Sequence, residues 1–335
     1  MDRELCPVVR PNNLLLPPFA QLERNSTVPR PMGNSPPTNL TSVILHALIL
    51  HHTNLAHLTR IGVCNAGQKP ANMKCLICND KMENYFSKEF NAYNLTTCNY
   101  YKCGTCGFVA SKTHYDLSPQ EWEQLNYEYH TENNNRVDNP NNRNQRYFNQ
   151  ALMISILKKH DLLGGGNFLD WASGIGAVSI LSKILFDVEI SNYDKYIEPH
   201  FNTVGEDYLK ERSFDLVINC ALFEHVSKRE TLDEIEALVA HDGAFAIHTL
   251  VPEVVPKDPE WMYLLPVHCS FHTNASMQLL MDQWGYKCSV YNEHSKLWVL
   301  FKRGIEEIKP QIDKINKLLG WEYLKFKNGF VDYWK

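Results

Sequence analysis

Apolar and polar residues in the second half of the chain follow two alternating patterns. Short apolar runs predict buried strands, and segments with helical spacing separate these runs. Strands that alternate with helices in this way form a parallel sheet with helices on both faces. The predicted strands are Phe168–Trp171, 188–194, Phe214–Cys220 and 244–250, and the helices between them begin at Ala177 and cover 231–239.

The pattern changes near the C-terminus. A predicted helix at 276–284 is followed by two apolar stretches, 287–291 and Leu297–Phe301, with a short polar connection. Such a pair predicts an antiparallel hairpin on the edge of the sheet. Isoleucines with helical spacing then predict a helix over Ile305–Leu319. The aromatic and basic tail after this helix is expected to dock on the domain, and the alternatives are that it joins subunits or contacts a partner.

A polar segment precedes the first strand. Ser118 and Pro119 predict the start of a helix, and the Asn-rich run 133–144 predicts a loop. The aromatic and basic side chains of the segment either face a substrate or cofactor, or form a packed face with solvated arginines. Both interpretations stay open for Tyr129 and His130, and we expect Arg136 and Arg143 to be solvated. The remaining members of this set are Tyr127 and Arg146.

Composition narrows the class of protein. The chain has 335 residues, is 44% hydrophobic and 21% charged, and carries a net charge of −5, which argues mildly against a nucleic-acid partner. No apolar run reaches the ~18 residues of a membrane span. Residues 1–30 contain no apolar secretion signal. We therefore expect a cytoplasmic protein without a membrane partner, with its cysteines reduced.

The first 72 residues are rich in proline and asparagine. We expect a poorly ordered extension with one amphipathic helix at 40–58, and a histidine metal site on that helix is the alternative. Met73 begins the stretch MKCLICND, which is typical of the start of a zinc-ribbon protein. Residues 1–72 are therefore expected to be dispensable, or to be an upstream extension of the reading frame.

Four of the ten cysteines form two C-x-x-C pairs, Cys75 with Cys78 and Cys103 with Cys106. Two such pairs predict a zinc ribbon with a β-hairpin between them. Four thiolates suit tetrahedral zinc and leave no open position for chemistry, so the predicted zinc is structural. The alternatives are free thiols, or a ligand set in which Cys98 replaces one of the four.

The strand Phe168–Trp171 leads into a glycine turn, Ser173-Gly174-Ile175-Gly176, that opens a helix. This arrangement predicts a cofactor cradle, because the missing side chains let a ligand lie against the backbone. Asp170 can face a cationic or hydroxyl group of the ligand. Asp194 lies 20 residues past Gly174 and can accept both ribose hydroxyls of an adenosine. NAD(P) and S-adenosylmethionine both fit these features.

Three stretches resemble the class I S-adenosylmethionine-dependent methyltransferases: LDWASGIGAVS, NYDKY and FDLVINCALFEHV. The family's first motif typically runs D-x-G-x-G-x-G, and here Ala172 stands at its first glycine. The strand-four motif often reads E-H, which Glu224-His225 matches. The resemblance covers about 148–303 and implies a doubly wound, Rossmann-like seven-stranded sheet with an antiparallel edge hairpin. With its ribbon, the chain looks like bacterial glycan and small-metabolite methyltransferases, including some sugar C-methyltransferases.

The resemblance also implies the cofactor contacts. The turn backbone would hold the methionine part of S-adenosylmethionine, Asp194 the ribose, and Tyr193 or Tyr196 the adenine, with Glu206-Asp207 near its amino group. The backbone at Cys220 and Ala221 would touch the cofactor from below. The predicted cofactor-binding residues are Asp170, Ala172, Ser173, Gly174, Gly176, Tyr193, Asp194, Cys220 and Ala221.

Methyl transfer needs alignment of the reacting atoms, and a hydroxyl acceptor also benefits from a base. We predict His225 as that base, with Glu224 orienting it or binding substrate; the alternative is that the pair tethers a loop or packs near the cofactor. Trp261 and Tyr263 form either an aromatic wall for a sugar or ordinary packing. The predicted substrate-binding residues are Tyr129, His130, His268 and His272.

The predicted domains are the extension (1–72), the zinc ribbon (73–112), a helical substrate cap (113–150), the methyltransferase domain (151–303) and the C-terminal helix and tail (304–335). The predicted function is methyl transfer to a small molecule, such as a nucleotide sugar or a glycan end. An RNA methyltransferase and a non-enzymatic partner-binding module are the alternatives. Hydride transfer is disfavoured, because Ser179 replaces the third glycine of the dinucleotide motif.

Overall fold

The computed structural model describes residues 73–134, 143–197, 201–210 and 212–332, all within one compact unit, Gly67–Lys335. The expected extension at 1–72, its helix and its histidines lie outside the described residues. So do Arg136 and the side chain of Arg143. None of the described helices is long and apolar enough to cross a membrane.

The larger sheet has seven strands in the order β11-β9-β10-β7-β6-β4-β5. The four strands β7, β6, β4 and β5 are parallel, and the hairpin β9–β10 pairs antiparallel with β7. This topology confirms the predicted doubly wound α/β fold with its antiparallel hairpin. The strands are β4 Phe168–Trp171, β5 Ser191–Tyr193, β6 Phe214–Cys220, β7 Val239–His248, β9 Cys288–Asn292, β10 Leu297–Phe301 and β11 Lys325–Asn328.

Helices cover both faces of this sheet. Alternate residues of β7 point to opposite faces, so Phe245 packs in the same apolar core as Met281, and Ala246 in the same core as Ile312. The helices are α1 Lys112–Tyr115, α2 Pro119–Asn134, α3 Arg143–Lys159, α4 Ala177–Phe186, α5 Glu206–Leu209, α6 Arg229–Glu236, α7 Asn274–Gln283 and α8 Ile305–Leu319, with a 3₁₀ turn at Phe223–His225.

The C-terminal tail supplies the outermost strand of this sheet. β11 pairs antiparallel with β9 on the side that the hairpin would otherwise leave open. The indole N–H of Trp298 donates to the carbonyl of Val331 at 2.9 Å, and its ring stacks on Phe330. Docking of the tail on the domain is therefore confirmed, and its role in oligomers stays a prediction.

Two elements differ in length from their predictions. β5 begins at Ser191 and not at 188, because the N–H groups of Asp187 and Val188 still bond to carbonyls of α4 and close its last turn. β7 begins at Val239 and runs through the turn expected at 241–243. Gly243 permits this, because a β-carbon there would lie 2.9 Å from the carbonyl oxygen of Phe214 in β6.

A second, antiparallel sheet holds the cysteine segment, in the order β1-β2-β3-β8. Its fourth strand comes from the loop after β7, where Phe271 pairs with Val109. The hydroxyl of Thr273 also donates to the carbonyl of Cys106 at 2.6 Å. The cysteine segment is thus joined to the loop after β7, which carries His268 and His272, two of the predicted substrate contacts. Its strands are β1 Met82–Glu89, β2 Thr97–Cys103, β3 Val109–Ser111 and β8 Ser270–Phe271.

Candidate active site and cysteine cluster

The four predicted cysteine ligands converge on one point. Sγ of Cys75 lies 3.5 Å from Sγ of Cys106, and Sγ of Cys78 lies 3.4 Å from Cys103 and 3.8 Å from Cys106. Sulfurs at ~2.3 Å from a tetrahedral zinc are separated by a little under 4 Å, so these distances suit the ion. Cys98 is buried in another apolar cluster and is no member of the set.

Both C-x-x-C pairs adopt the same local fold. In each, the residue after the second cysteine, Asn79 or Gly107, has a positive φ, at 63° and 73°. Its N–H donates to the carbonyl of the first cysteine of the pair, Cys75 or Cys103. The turn directs two sulfurs to one side of the backbone, which is the geometry that a shared ion requires. Two matching turns therefore support the ribbon prediction.

The glycine turn follows β4 in the predicted place. Ala172, Gly174 and Gly176 have φ of 60°, 57° and 74°, so three of five consecutive residues adopt the left-handed conformation. A β-carbon on Gly174 would meet nothing within 4 Å, which leaves open space above the turn. A β-carbon on Gly176 would lie 2.9 Å from the amide nitrogen of Asn192. The missing side chain at Gly174 thus leaves open space above the turn, and the missing side chain at Gly176 allows close packing against β5.

Ser179, which disfavours a dinucleotide, holds this turn in place. Its hydroxyl donates to the carbonyl of Gly176 at 2.8 Å and accepts from the side-chain amide of Asn192 at 2.6 Å. The same amide also donates to the carbonyl of Phe201 at 2.6 Å. Ser179 and Asn192 therefore link the start of α4 to β5. A glycine at position 179 would lack the hydroxyl that makes both of these hydrogen bonds.

Asp170 ends β4 and is buried. Its Oδ1 has no hydrogen-bond partner among the described residues. Burial, followed by the nearby charge of Asp194, raises the pKa of Asp170 to about 8. A carboxylate in this position gains from a cationic ligand, which would supply the missing charge and hydrogen bond.

Asp194 lies at the end of β5, where it joins two loops. One carboxylate oxygen accepts from the N–H of Gly174 at 2.9 Å, and the other accepts from Tyr196 and Ile197 at 2.9 and 3.0 Å. The side chain is partly exposed. A carboxylate has about four acceptor positions, so it can also accept the predicted ribose hydroxyls. Asp194 thus has a structural role beside its predicted binding role.

The two tyrosines predicted near the adenine have different surroundings. Tyr193 is buried, contacts the ring of Trp171 at 5.6 Å between centroids, and donates to Glu206 at 3.2 Å. Tyr196 is 69% exposed beside the Asp194 loop. Of the two, Tyr196 is the one whose ring is open to a ligand.

The carboxyl ends of β6 and β7, at Cys220, Ala221 and His248, lie next to the glycine turn and are called the floor of the site. Ala221 has a positive φ of 59°, and its N–H donates to the carbonyl of His248 at 2.8 Å. The charge of Arg146, on α3, acts on both Cys220 and His248 and therefore lies close to this floor. Nε of Arg146 is buried without a hydrogen-bond partner in the part of the chain that the structure describes. This Nε therefore remains an unused hydrogen-bond donor within the described residues.

Glu224 and His225 lie on the 3₁₀ turn after β6. The carboxylate of Glu224 is buried, and it accepts from the hydroxyl of Tyr263 at 2.7 Å and from that of Thr249 at 2.9 Å. Two neutral hydroxyls therefore fix its orientation. His225 is partly exposed, and burial of its ring, then the charges of His268 and His130, lower its pKa well below the usual range.

Three of the four predicted substrate contacts lie around His225. The ring of His268 lies 4.9 Å from that of His225, and the ring of His130 lies 5.7 Å from it, between centroids. Tyr129 contacts His130 at 5.5 Å. His272 instead packs between Phe108 and Phe223 and is 1% exposed. The role of His272 as a substrate contact stays a prediction that its burial does not favour.

Some residues of the site have roles that the sequence did not indicate. Tyr263 was expected to pack or to face a sugar; its ring packs against those of Trp261 and His268, at 5.6 and 4.6 Å between centroids, and its hydroxyl also donates to Glu224. The amide of Asn219, inside the apolar run of β6, donates to the carbonyl of Trp171 at 3.1 Å. A polar residue within a buried strand was the signal available for Asn219. No local pattern pairs Tyr263 with Glu224, because 39 residues separate them.

No family model matches the chain, and no curated protein is similar to it in sequence. Among solved structures, it is similar to the plantazolicin methyltransferase BpumL with bound SAH, at 11% identity and a TM-score of 0.36, over 57% of this chain and 93% of that one. It is also similar to human N-acetylserotonin methyltransferase with SAM, at 14% identity and a TM-score of 0.36, over 56% and 57% of the two chains.

A third solved structure is a SAM-dependent methyltransferase from Archaeoglobus fulgidus, at 20% identity and a TM-score of 0.33, over 50% of this chain and 87% of that one. Because these TM-scores are low, a functional proposal has to rest on the site itself.

Proposed function

We propose that the chain transfers a methyl group from S-adenosylmethionine to a small molecule, and that nucleotide sugars and glycan ends are the first acceptors to screen. One observation carries the proposal. Four buried polar atoms around the glycine turn have no hydrogen-bond partner among the described residues: Oδ1 of Asp170, Oγ of Ser173, Oδ1 of Asn192 and Oδ1 of Asn219. Such atoms are rare in folded proteins, and a polar ligand accounts for a cluster of them.

The residues of the cradle suit the charges of this cofactor. The cofactor supplies an electrophilic methyl group on a sulfonium. Asp170, whose Oδ1 has no partner, would face a positive group, and Arg146, whose Nε has no partner among the described residues, would hold a carboxylate. Asp194 would accept the ribose hydroxyls while it keeps the turn and the loop 195–197 in place. A zwitterionic amino acid joined to a nucleoside offers each of these groups.

Activation of the acceptor falls to the turn that carries Glu224 and His225. His225 is partly exposed at the carboxyl end of β6, next to the floor formed by Cys220 and Ala221. Thr249 and Tyr263 each donate to one oxygen of Glu224 and so fix the orientation of its carboxylate beside His225. His268 and His130 line the space around His225 and would contact the acceptor.

The cysteine cluster supports structural zinc rather than a nucleic-acid interface. Its turns dock on the larger domain, where Arg229 donates to the carbonyls of Leu76 and Ile77, and Gln283 also donates to Ile77. β8 completes its sheet. A ribbon used in this way leaves less free surface for RNA, so we favour the small-molecule acceptor.

Calorimetric titration of the full chain with S-adenosylmethionine tests the proposal, followed by a screen of nucleotide sugars with labelled methyl donor. We expect binding of one cofactor per chain and label transfer to a member of the screen. Titration with NAD(P) serves as the control, and no binding is expected. Absence of S-adenosylmethionine binding by a folded, zinc-loaded chain would overturn the assignment, and salt-sensitive RNA binding would favour the RNA alternative.

A further inference from the structure

A second cluster of metal-ligating side chains lies beside the glycine turn. Glu224 and His225 come from the 3₁₀ turn after β6, and His268 comes from the loop before β8. One ligand atom of each lies within 4.8 Å of the others. We propose that these three side chains bind one divalent first-row transition-metal ion, separate from the cysteine cluster. This inference deepens the proposed function, because it gives the acceptor site a Lewis acid.

The spacing of the three side chains suits a single ion. Nitrogen and oxygen ligands lie ~2.0–2.2 Å from zinc, which places ligand atoms ~3–4 Å apart around the ion. Because the three atoms are already within 4.8 Å of each other, they reach that spacing through small side-chain adjustments. The backbone does not have to move.

A hydrogen bond to the backbone orients one of the two histidines. Nδ1 of His268 lies 2.8 Å from the carbonyl oxygen of Tyr263. A ring nitrogen that donates to a carbonyl leaves the other nitrogen with its lone pair, and metal-binding histidines are commonly held in this way. His268 therefore presents Nε2 to the cluster.

The carboxylate is oriented by equally specific contacts. Hydroxyls of Tyr263 and Thr249 each donate to one oxygen of Glu224, and no lysine or arginine forms an ion pair with it among the described residues. Its negative charge is thus left uncompensated inside a buried site. Two imidazole lone pairs and a carboxylate that converge need a shared cation, and a metal ion or a proton can supply it.

The ligand set favours one class of ion. Two imidazoles and a carboxylate suit zinc, iron or a neighbouring first-row ion, whereas magnesium and calcium prefer oxygen ligands alone. Three protein ligands leave at least one position open, in contrast to the four cysteines. An acceptor hydroxyl bound there would release its proton to solvent water more readily, so His225 would act as a ligand and not as the base.

Metal content of the full chain tests this site. After loading with zinc and dialysis, mass spectrometry should find two zinc ions per chain, and one in His268→Ala. His248→Ala is the matched control, because Nδ1 of His248 also lies 2.8 Å from a backbone carbonyl, that of Lys296, but His248 lies outside the cluster. It should keep both ions.

Cobalt loading distinguishes loss of the site from misfolding. The thiolate-to-cobalt absorption reports the cysteine cluster alone, so it should persist in His268→Ala. If that variant loses the absorption, Glu224→Gln replaces it, with the same expectation of one remaining ion. One zinc ion in the parent protein, or two that survive both substitutions, would overturn the proposal in favour of a proton-bridged cluster. The same parent sample is also titrated with S-adenosylmethionine. If it binds the cofactor but holds one zinc ion, the metal site fails and the proposed function does not.

Discussion

The cysteine cluster and the glycine turn differ in how many of their buried polar atoms have a contact or hydrogen-bond partner within the chain. Around the cysteines, each sulfur has another within 3.8 Å, and the carbonyls of Leu76, Ile77 and Cys106 all accept hydrogen bonds from the larger domain. Around the glycine turn, buried oxygens of Asp170 and Asn219 have no partner within the described ranges. The first region is closed and suits a permanent ion, whereas the second is incomplete and suits a ligand that comes and goes.

The largest effect is expected at the closed region. Cys106→Ser should release the zinc and unfold the ribbon, because structural zinc binds its ligands with ~10 kcal/mol or more, comparable with the whole stability of a domain. Metal analysis and thermal unfolding measure this. Cys98→Ala, at a buried cysteine outside the cluster, should keep the metal. Absence of zinc from the parent protein, or its retention in Cys106→Ser, would contradict the ribbon assignment.

The incomplete region predicts a pH dependence. Because burial raises the pKa of Asp170 to about 8, protonation favours the folded ligand-free chain, and stability should fall as the pH rises from about 4, the unfolded pKa, to about 8. The slope from this one group is up to ~1.4 kcal/mol per pH unit. Asp194 is the titratable group that raises the pKa of Asp170, and the charge of Asp170 in turn raises the pKa of the Cys220 thiol; both groups remain in Asp170→Asn.

Asp170→Asn should therefore flatten the pH profile and leave the ligand-free protein more stable than the parent at pH 8. Urea unfolding at several pH values measures both quantities. The same variant should bind S-adenosylmethionine more weakly, since the amide cannot offer a charge. Parallel profiles for the parent and the variant would show that Asp170 ionises normally and faces no site.

Asp194→Ala should weaken binding of S-adenosylmethionine by ~1–3 kcal/mol, if two ribose hydrogen bonds are lost. Because Asp194 also holds the N–H groups of Gly174 and Tyr196, some stability is lost as well. Calorimetry at a temperature where the variant is folded separates the two effects. Asp313→Ala, at an exposed acid on α8, is the control. Unchanged affinity in Asp194→Ala would remove the ribose assignment.

The finest test compares two glycines. Gly174 and Gly320 have φ of 57° and 76°, and a β-carbon would meet nothing within 4 Å at either position. Substitution by alanine should therefore lower the free energy of unfolding by a similar ~1–2 kcal/mol at each position, because of backbone strain. Only Gly174→Ala should weaken S-adenosylmethionine binding, because only there would the methyl group occupy the ligand's space. Equal affinities in the two variants would show that the space above Gly174 is not the cradle.

The elements that matched their predictions are those with a local pattern. β6, β10 and α8 have the predicted bounds, because an uninterrupted apolar run or a repeated helical spacing marks each of them. β8 and β11 were missed as strands, because they are short and their pairing partners, β3 and β9, lie far away in the sequence. Backbone pairing between distant segments leaves little trace in either segment alone.

The site shows the same division. Cys75, Cys106, Asp170 and the glycines could be found from spacing, because metal ions and tight turns demand particular residues at particular intervals. The convergence of His225 and His268 could not be found in this way, since 43 residues that include β7 separate them. Which histidine nitrogen is available depends on carbonyl contacts, which the sequence does not encode locally.

The strand β8 has a consequence for how this protein can evolve. Two residues, Ser270 and Phe271, pair the region that follows His268 with β3 in the sheet of the cysteine segment. A sequence change that reshapes this loop must preserve its pairing with the edge of β3, or the sheet of the cysteine segment loses its outer strand. A loop taken from another protein would therefore need a β3 edge with which it can pair. The loop that contains β8 and the cysteine segment should accordingly change together in evolution.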